Sequence, residues 1–140
     1  MKAQQNQRRG AIGVIVRNET EVLVIQRSET VRAPGRLCFP GGGIEDGESE
    51  AAAVVRELHE ELAVTVEPVR KLWTSSTASG VLLNWWLVRL PSDQNPKPNP
   101  SEVAAYCWMT VEELLRHEAT LESNRAFVRA YRAGEFQLEA

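Results

Sequence analysis

Three closely spaced glutamates in the first half of the chain could bind a metal ion. Glu57, Glu60 and Glu61 are spaced i, i+3 and i+4, so on a helix their side chains fall within an arc of about 100°. Like charges at this spacing destabilise a helix by roughly 0.2–0.5 kcal/mol per pair, and Arg56 is the only adjacent arginine or lysine. A divalent cation would remove this repulsion. The alternative is an acidic helix face exposed to solvent, which is the usual role of a run of charge.

The residues around these glutamates favour the metal-binding interpretation. Gly42 lies in a glycine-rich segment, Glu48 follows it, and the whole pattern is G-x5-E-x7-R-E-L-x-E-E, ending at Glu61. Leaving Leu58 aside, the pattern fixes the residue at six positions, and such a set, each residue at about 5–7% usage, recurs by chance in roughly one window per 10^7. Carboxylate oxygens suit Mg²⁺ and Mn²⁺, which are hard cations. The pattern therefore predicts a site for Mg²⁺, with Mn²⁺ as a second candidate.

Hydrophobic periodicity and turn residues indicate the elements that must position this site. The predicted strands cover residues 11–16, 21–26, 37–39, 64–66, 69–73, 81–90 and 104–109, and the predicted helices cover residues 49–62, 111–116 and 123–132. Residues 40–43 are predicted to form a tight glycine turn, and residues 91–100, with four prolines, a loop. Strands with interspersed helices indicate an α/β fold, formed as one domain over residues 1–140.

Composition limits the classes of function. Hydrophobic residues make up 43% of the 140 positions and charged residues 25%, which is ordinary for a globular domain. A net charge of −3 argues against binding a nucleic-acid polymer, because such binding relies on lysine and arginine to neutralise phosphates. No apolar run approaches the ~20 residues needed to span a bilayer, and residues 1–9 contain no apolar signal segment. Cys38 and Cys107 form no CxxC pair and are predicted to be buried thiols, which favours a cytoplasmic location.

The spaced pattern resembles the Nudix box, whose family consensus is G-x5-E-x7-R-E-U-x-E-E-x-G-U with U apolar. Residues 42–64 meet every position except one, since Ala63 stands where the family has glycine. That glycine would close the helix in a left-handed conformation, which would cost alanine about 1 kcal/mol. We therefore expect the chain to leave the helix at Ala63 in a different conformation from that of the family glycine. The resemblance covers about residues 10–132 and implies an α/β/α sandwich around a mixed β-sheet.

The resemblance also implies a role for each residue of the box. The metal ligands would be Gly42, through its backbone carbonyl, and Glu57, Glu60 and Glu61. Arg56 would pair with Glu48 and hold the loop against the helix without touching the metal. The reaction of such sites is hydrolysis of a pyrophosphate linkage in a nucleoside diphosphate bonded to a further group. In that chemistry the metal neutralises phosphate charge and lowers the pKa of a bound water.

In proteins with this box, a carboxylate outside the helix often serves as the base or as an extra metal ligand. Glu102 is our candidate for this role, because it follows the proline-rich loop and precedes Trp108 by six residues. Asp93 in the same loop is the alternative. An exposed loop acid without a catalytic role is the other interpretation of Glu102.

Residues 37–45 and 53–61 resemble the version of the box found in MutT-type nucleoside triphosphate pyrophosphohydrolases. The candidate substrate-binding residues are Arg27, Phe39, Trp85 and Asn124, and the resemblance places Arg27 and Asn124 at or near positions that contact the base in that subgroup. Asn124 would read the edge of a purine, because an amide both donates and accepts hydrogen bonds, but it could instead cap the last helix. Arg27 could equally be a surface residue. Trp85, or Trp86 in its place, could stack on the base, although a tryptophan in a strand is more often part of the core.

Three functions are therefore considered. The leading one is a Mg²⁺-dependent nucleoside triphosphate pyrophosphohydrolase that releases a nucleoside monophosphate and pyrophosphate. The second keeps the metal chemistry but acts on ADP-ribose, a nucleotide sugar or a dinucleoside polyphosphate, because the box contacts only the shared diphosphate. The third is a nucleotide-binding domain without turnover. All three predict a small-molecule nucleotide partner, no membrane, and a monomer or homodimer.

Overall fold

A computed structural model of the protein describes residues 7–139. Residues 1–6, which belong to the N-terminal segment predicted to contain no apolar signal, lie outside the described residues. Seven strands and three helices occur in this part of the chain. They are β1 (Arg9–Arg17), β2 (Glu21–Arg27), β3 (Leu37–Cys38), β4 (Gly41–Gly43), α1 (Glu50–Leu62), β5 (Glu67–Ser76), β6 (Leu82–Arg89), β7 (Val103–Thr110), α2 (Val111–Arg116) and α3 (Glu122–Arg132). Strands β1 and β2 pair antiparallel and form a hairpin, with residues 18–20 as its turn. Its turn residues Asn18 and Glu19 both have positive φ, a conformation that asparagine adopts more readily than most residues.

The strands form one mixed sheet in the order β3-β2-β1-β6-β5, with β4 paired to β1 and β7 paired to β2. Strand β1 is parallel to β6 along one edge. Along its other edge it changes partner: its first half pairs with β4, and its end, from Val16, pairs with β2. A gap therefore opens between β4 and β2, and the candidate site lies at this gap.

Helices cover both faces of the sheet, which confirms the α/β/α arrangement. One core lies beneath α1 and contains Val54, Leu58 and Leu62, all fully buried. The other lies beneath α2 and α3 and contains Leu114 and Phe127. Strand β6 contributes alternate residues to the two cores, as period-2 alternation requires.

Helix α1, which carries the acidic residues, is fixed at its start and along its inner face. The Ser49 hydroxyl accepts a hydrogen bond from the backbone N–H of Ala52 at 3.1 Å, so it caps the first turn. The inner face packs on β1 at Gly13, where a Cβ would lie only 3.0 Å from a methyl carbon of Leu58. The absence of a side chain at Gly13 therefore lets the helix approach the sheet closely.

Helix α1 ends at the residue where glycine was expected. Ala63 has φ 57° and ψ 35°, and its N–H donates to the carbonyl of His59. The expectation of a changed helix exit is therefore wrong, because the alanine adopts the left-handed conformation that the family glycine would adopt. The chain accepts the strain of a Cβ in that conformation.

Three further expectations differ from the structure. Residues 64–66 are not a strand; Val64 and Val66 instead fill the core beneath α1 as the chain leaves the helix. The glycine segment is not only a turn, because Gly41–Gly43 form a strand against β1. Cys38 is buried as predicted, but Cys107 is exposed, and both thiols are free.

Among residues 7–139, no helix has the length and apolar character needed to cross a membrane.

The strained helix end predicts that Ala63→Gly increases the free energy of unfolding by about 1 kcal/mol, because glycine adopts positive φ without a Cβ penalty. Urea denaturation of the two proteins measures this difference. Ala52→Gly is the matched control: Ala52 is exposed on the same helix, and the same substitution there should lower stability by roughly 0.5–1 kcal/mol. A loss of stability at both positions would contradict the assignment of strain to Ala63.

Candidate functional site

Three carboxylates from two elements meet at the gap in the sheet. Glu57 and Glu61 lie one turn apart on α1, and Glu102 immediately precedes β7. One carboxylate oxygen from each lies within 4.8 Å of the others. Glu61 is buried, with 6% of its surface exposed, whereas Glu57 and Glu102 are partly buried. Of the acids proposed as metal ligands, Glu60 is the one outside this group.

Glu60 is exposed and contacts Arg56 instead of the other acids. Its carboxylate oxygens lie 3.3 and 3.4 Å from Nη1 of Arg56, one turn earlier on the same helix. The i, i+3 and i+4 spacing therefore brings only Glu57 and Glu61 together. Asp93, the alternative to Glu102, is exposed and is not part of the three-carboxylate group.

The predicted ion pair between Arg56 and Glu48 is present, and it joins the glycine segment to the helix. Nε and Nη2 of Arg56 donate to the two carboxylate oxygens of Glu48 at 2.7 and 2.9 Å. Nη2 also donates to the carbonyl of Gly43 at 2.8 Å, and Nη1 to Glu57 at 2.9 Å. The hydrogen bonds from Arg56 lower the pKa of Glu48 to about 2. One guanidinium thus fixes the strand, the loop and one acid of the cluster.

The glycine strand β4 forms the wall against which the two helical acids pack. A Cβ at Gly42 would overlap the carboxylate of Glu57, so a residue without a side chain is required there. The backbone N–H of Gly41 donates to Oε1 of Glu61 at 3.0 Å. The glycine-rich segment therefore lets the backbone approach both carboxylates closely.

The clustered acids are electrostatically unsatisfied. Burial, followed by the negative charge of Glu57, raises the pKa of Glu61 to about 8, against the opposing hydrogen bond from Gly41. Burial also raises the pKa of Glu57, although its contact with Arg56 acts in the other direction. The raised pKa values mean that burial, together with the repulsion between these acids, disfavours their ionised forms.

These residues fit the divalent cation that the sequence suggested. The donors are all carboxylate oxygens, which suit Mg²⁺ or Mn²⁺ rather than softer metals. A cation at the cluster would favour the ionised carboxylates, which burial and mutual repulsion disfavour. Glu57, Glu61 and Glu102 are the residues that could hold it.

A cleft of about 670 Å³ extends from the acids, which is within the range of small-molecule sites. Most of the residues assigned to the site from the sequence line it. They are Arg27, Phe39, Gly42, Glu57, Glu61, Glu102 and Asn124. The acids occupy the side of the cleft nearest α1, and Asn124 enters from α3 on the other face of the sheet. The cleft could therefore hold a nucleotide with its phosphates near the acids.

Asn124 does not cap α3, so that alternative is excluded. The N-cap is Leu121, and no side chain caps this helix end. Oδ1 of Asn124 accepts a hydrogen bond from the backbone N–H of Phe39 at 2.8 Å, and Nδ2 donates to the Ser123 hydroxyl at 3.1 Å. Asn124 is 5% exposed and holds the start of the glycine segment against α3. A hydrogen bond from Asn124 to a ligand would therefore come from Nδ2.

Arg27 points towards the cleft and is held there by its own loop. Nε donates to the carbonyl of Arg32 at 2.6 Å, and Nη1 lies 4.0 Å from the sulfur of Cys38. The alternative of a plain surface residue does not fit this position, since Arg27 is only partly exposed and lines the cleft.

The assignment of Trp85 to the substrate site is not supported, because this side chain is completely buried. Its ring stacks on Phe127 with centroids 4.6 Å apart, and its Nε1 donates to the Ser75 hydroxyl at 2.9 Å. Trp85 therefore has no free face for a base.

Phe39 lines the cleft but is only 2% exposed, and its ring packs edge-on against Trp85 and Phe127. Its backbone, rather than its ring, is bound by Asn124.

Several residues of the cleft carried no recognisable motif. Ile12 on β1 and Leu83 on β6 give it an apolar wall, and Arg8, Arg9 and Arg32 bring further positive charge. The period-2 alternation of a strand predicts which side chains share a face of the sheet with Ile12 and Leu83. It does not predict the gap between β4 and β2, which depends on how the strands pair. The sequence signal for these residues was therefore incomplete.

Comparison with known proteins gives a consistent result. Residues 7–131 match the family model described as NUDIX domain. An 8-oxo-dGTP diphosphatase of Escherichia coli (strain K12) is 36% identical over 81 residues, which are 56% of this chain and 63% of that protein. A Nudix hydrolase of Deinococcus radiodurans is 31% identical over 122 residues, covering 80% of this chain and 69% of the relative.

The fold is also similar to solved structures. The crystal structure of a MutT protein from Methanosarcina mazei Go1 superposes with a TM-score of 0.80 and covers 97% of this chain and 100% of its own. The two sequences are 21% identical, so this similarity concerns the arrangement of sheet and helices.

The raised pKa of Glu61 predicts how the stability of the metal-free protein depends on pH. The pKa is about 8 in the folded state and about 4.5 in an exposed carboxyl, so the folded state binds more protons between these values. The free energy of unfolding should therefore fall as pH rises from about 5 to 8. Chemical denaturation in EDTA at several pH values measures this slope, to which Glu57 contributes in the same direction.

Glu61→Gln should reduce this slope, since a neutral amide replaces the group that titrates. The control is Glu118→Gln, which alters an exposed acid outside the cleft and should leave the slope unchanged. An equal slope in wild type and Glu61→Gln would refute the electrostatic description of the cluster.

Proposed function

The chain belongs to the NUDIX family, and from this premise we propose that it hydrolyses a pyrophosphate bond in a nucleoside diphosphate derivative. The observation that carries the proposal is the convergence of Glu57, Glu61 and Glu102 at one end of a nucleotide-sized cleft. The leading substrate is a nucleoside triphosphate, cleaved to a nucleoside monophosphate and pyrophosphate. No glutamate of the box is lost, which argues against a domain that binds nucleotides without turnover.

The site is proposed to work with Mg²⁺, or with Mn²⁺ in its place. When bound, such an ion supplies positive charge to the phosphates and a water molecule of lowered pKa. Glu57 and Glu61 would hold it from the rigid helix, and Arg56 keeps Glu57 in place. Glu102 comes from a loop, and among the described residues its carboxylate accepts one hydrogen bond, from Asn99 at 3.5 Å. Its remaining lone pairs are free to bind the ion or to accept a proton from water.

The other end of the cleft is proposed to select the nucleoside. Arg27 and Nδ2 of Asn124 supply donors, and Ile12 and Leu83 supply apolar contact area. Donors near an apolar wall suit a purine, whose rings are apolar on their faces and carry acceptors on their edges. The name of the E. coli relative, 8-oxo-dGTP diphosphatase, adds support for an oxidised purine nucleotide.

Two further properties are also proposed. The protein is proposed to be a monomer or homodimer and to be located in the cytoplasm.

The first test is a substrate panel with Mg²⁺, containing canonical and oxidised deoxynucleoside triphosphates, ADP-ribose, nucleotide sugars and diadenosine polyphosphates. We expect hydrolysis of triphosphates to monophosphate and pyrophosphate, with EDTA abolishing turnover. Preference for ADP-ribose or a nucleotide sugar would replace the leading substrate with the second candidate. No hydrolysis of any compound would reject the enzymatic proposal.

The second test compares Glu61→Gln with Glu60→Gln. We expect Glu61→Gln to lower kcat by about 10²–10³, the cost typical of losing one group that stabilises charge in the transition state. Glu60→Gln should have a smaller effect if the ion is bound by Glu57, Glu61 and Glu102. Circular dichroism checks that both variants are folded. Near-normal turnover of Glu61→Gln would remove Glu61 from the catalytic site.

A third prediction concerns Asn124→Ala, in which the purine-selective donor is lost. The ratio of kcat/KM for purine over pyrimidine triphosphates should fall, because Nδ2 is no longer available to the base. Because Oδ1 also holds Phe39, the free energy of unfolding should fall as well, by about 1–3 kcal/mol. An unchanged base preference in the folded variant would restrict Asn124 to its structural contact.

A further inference from the structure

The loop that carries Glu102 is attached to the end of the acidic helix. The last carbonyls of a helix lack intrahelical partners, and two backbone N–H groups of this loop bind them. The N–H of Lys97 donates to the carbonyl of Leu62 at 2.7 Å, and the N–H of Asn99 to the carbonyl of Glu61 at 2.9 Å. These two hydrogen bonds therefore attach the loop to the helical turn that bears Glu61.

Asn99 also determines the shape of the loop just before Glu102. Its Oδ1 accepts hydrogen bonds from the backbone N–H and the hydroxyl of Ser101 at 3.2 and 2.9 Å. Its carbonyl accepts from the N–H groups of Glu102 and Val103 at 2.9 and 2.8 Å. These bonds fold residues 99–103 into a tight turn that enters β7.

The side-chain nitrogen of Asn99 connects the helix to the third acid. Nδ2 lies 3.4 Å from the carbonyl of Glu60 and 3.5 Å from Oε2 of Glu102. Its two hydrogens can serve these two acceptors at once, while Oδ1 remains with Ser101. An amide is required for this combination, because a carboxylate has no donor and a hydroxyl has one.

We propose that Asn99 is a positioning residue that sets the carboxylate of Glu102 against Glu57 and Glu61. The three acids repel one another within 4.8 Å, so Glu102 needs an external constraint to stay in the group. Ser28, whose N–H donates to the carbonyl of Glu102 at 3.1 Å, anchors the backbone on the other side. Of these anchors, only Asn99 contacts the carboxylate itself. This inference rests on the proposed metal-dependent function.

The test measures Mn²⁺ binding to the full chain without substrate, by electron paramagnetic resonance of the free ion. Asn99→Ala should weaken Mn²⁺ binding about tenfold, the effect typical of removing a group that orients a metal ligand. Asn99→Ser should weaken it similarly, because the serine hydroxyl can still bind the N–H of Ser101 but does not replace the amide donor. Asn99→Ser therefore provides the answer if Asn99→Ala does not fold.

Two comparisons separate positioning from a general loss of stability. Gln94→Ala removes another tether of the same loop, the 3.1 Å hydrogen bond from the N–H of Thr65, and should leave Mn²⁺ affinity unchanged. In a Glu102→Gln background, Asn99→Ser should cause no further loss, because the two residues act through one carboxylate. A tenfold loss in that background, or wild-type affinity in both Asn99 variants, would overturn the positioning role. Absence of Mn²⁺ binding by the wild type would instead reject the proposed function.

Discussion

Repulsion among buried carboxylates is the constraint on which the rest of this structure depends. Glu61 is nearly inaccessible to solvent and has Glu57 and Glu102 as neighbours, and its pKa rises accordingly. Isolated side chains would relieve such repulsion by moving apart or by taking up protons. Here the acids cannot separate easily, because α1 is packed on the sheet and the Glu102 loop is bonded to the end of that helix. The fold thus holds in place an arrangement that is unfavourable without a cation.

Arg56 divides the acids of this region into two groups. It is bonded to Glu48, Glu57 and Glu60 and therefore neutralises the outer part of the acidic surface. Glu61 and Glu102 form no ion pair among the described residues, and they define the inner part of the site. A single guanidinium thus holds the outer acids in place and leaves the negative charge of the inner acids without a paired cation in the described part of the chain. Arginine suits this task because its planar fork can serve several carboxylates at once.

Local spacing predicted much of this site, and contacts distant in sequence account for what it missed. The i, i+4 relation placed Glu57 and Glu61 together, and the box pattern gave the pairing of Arg56 with Glu48. A helical projection does not say which end of an acidic arc faces the sheet, so Glu60 was grouped with the inner acids. Trp85 was misassigned because period-2 alternation gives the two faces of a strand but not which face is covered by α3.

The fold was predicted more completely than the site for the same reason. Helix boundaries and the β1–β2 hairpin follow from capping and turn residues within a few positions. The change of partner along β1 and the attachment of Asn99 to α1 depend on chain segments far apart in sequence. Opposite walls of the gap in the sheet therefore come from separate layers, with the acids on α1 and its attached loop and Asn124 on α3. Under the proposed function, mutations in α3 or β6 would alter which nucleoside is accepted and leave the acids on α1 and its attached loop in place, so ligand preference could change without a change in chemistry.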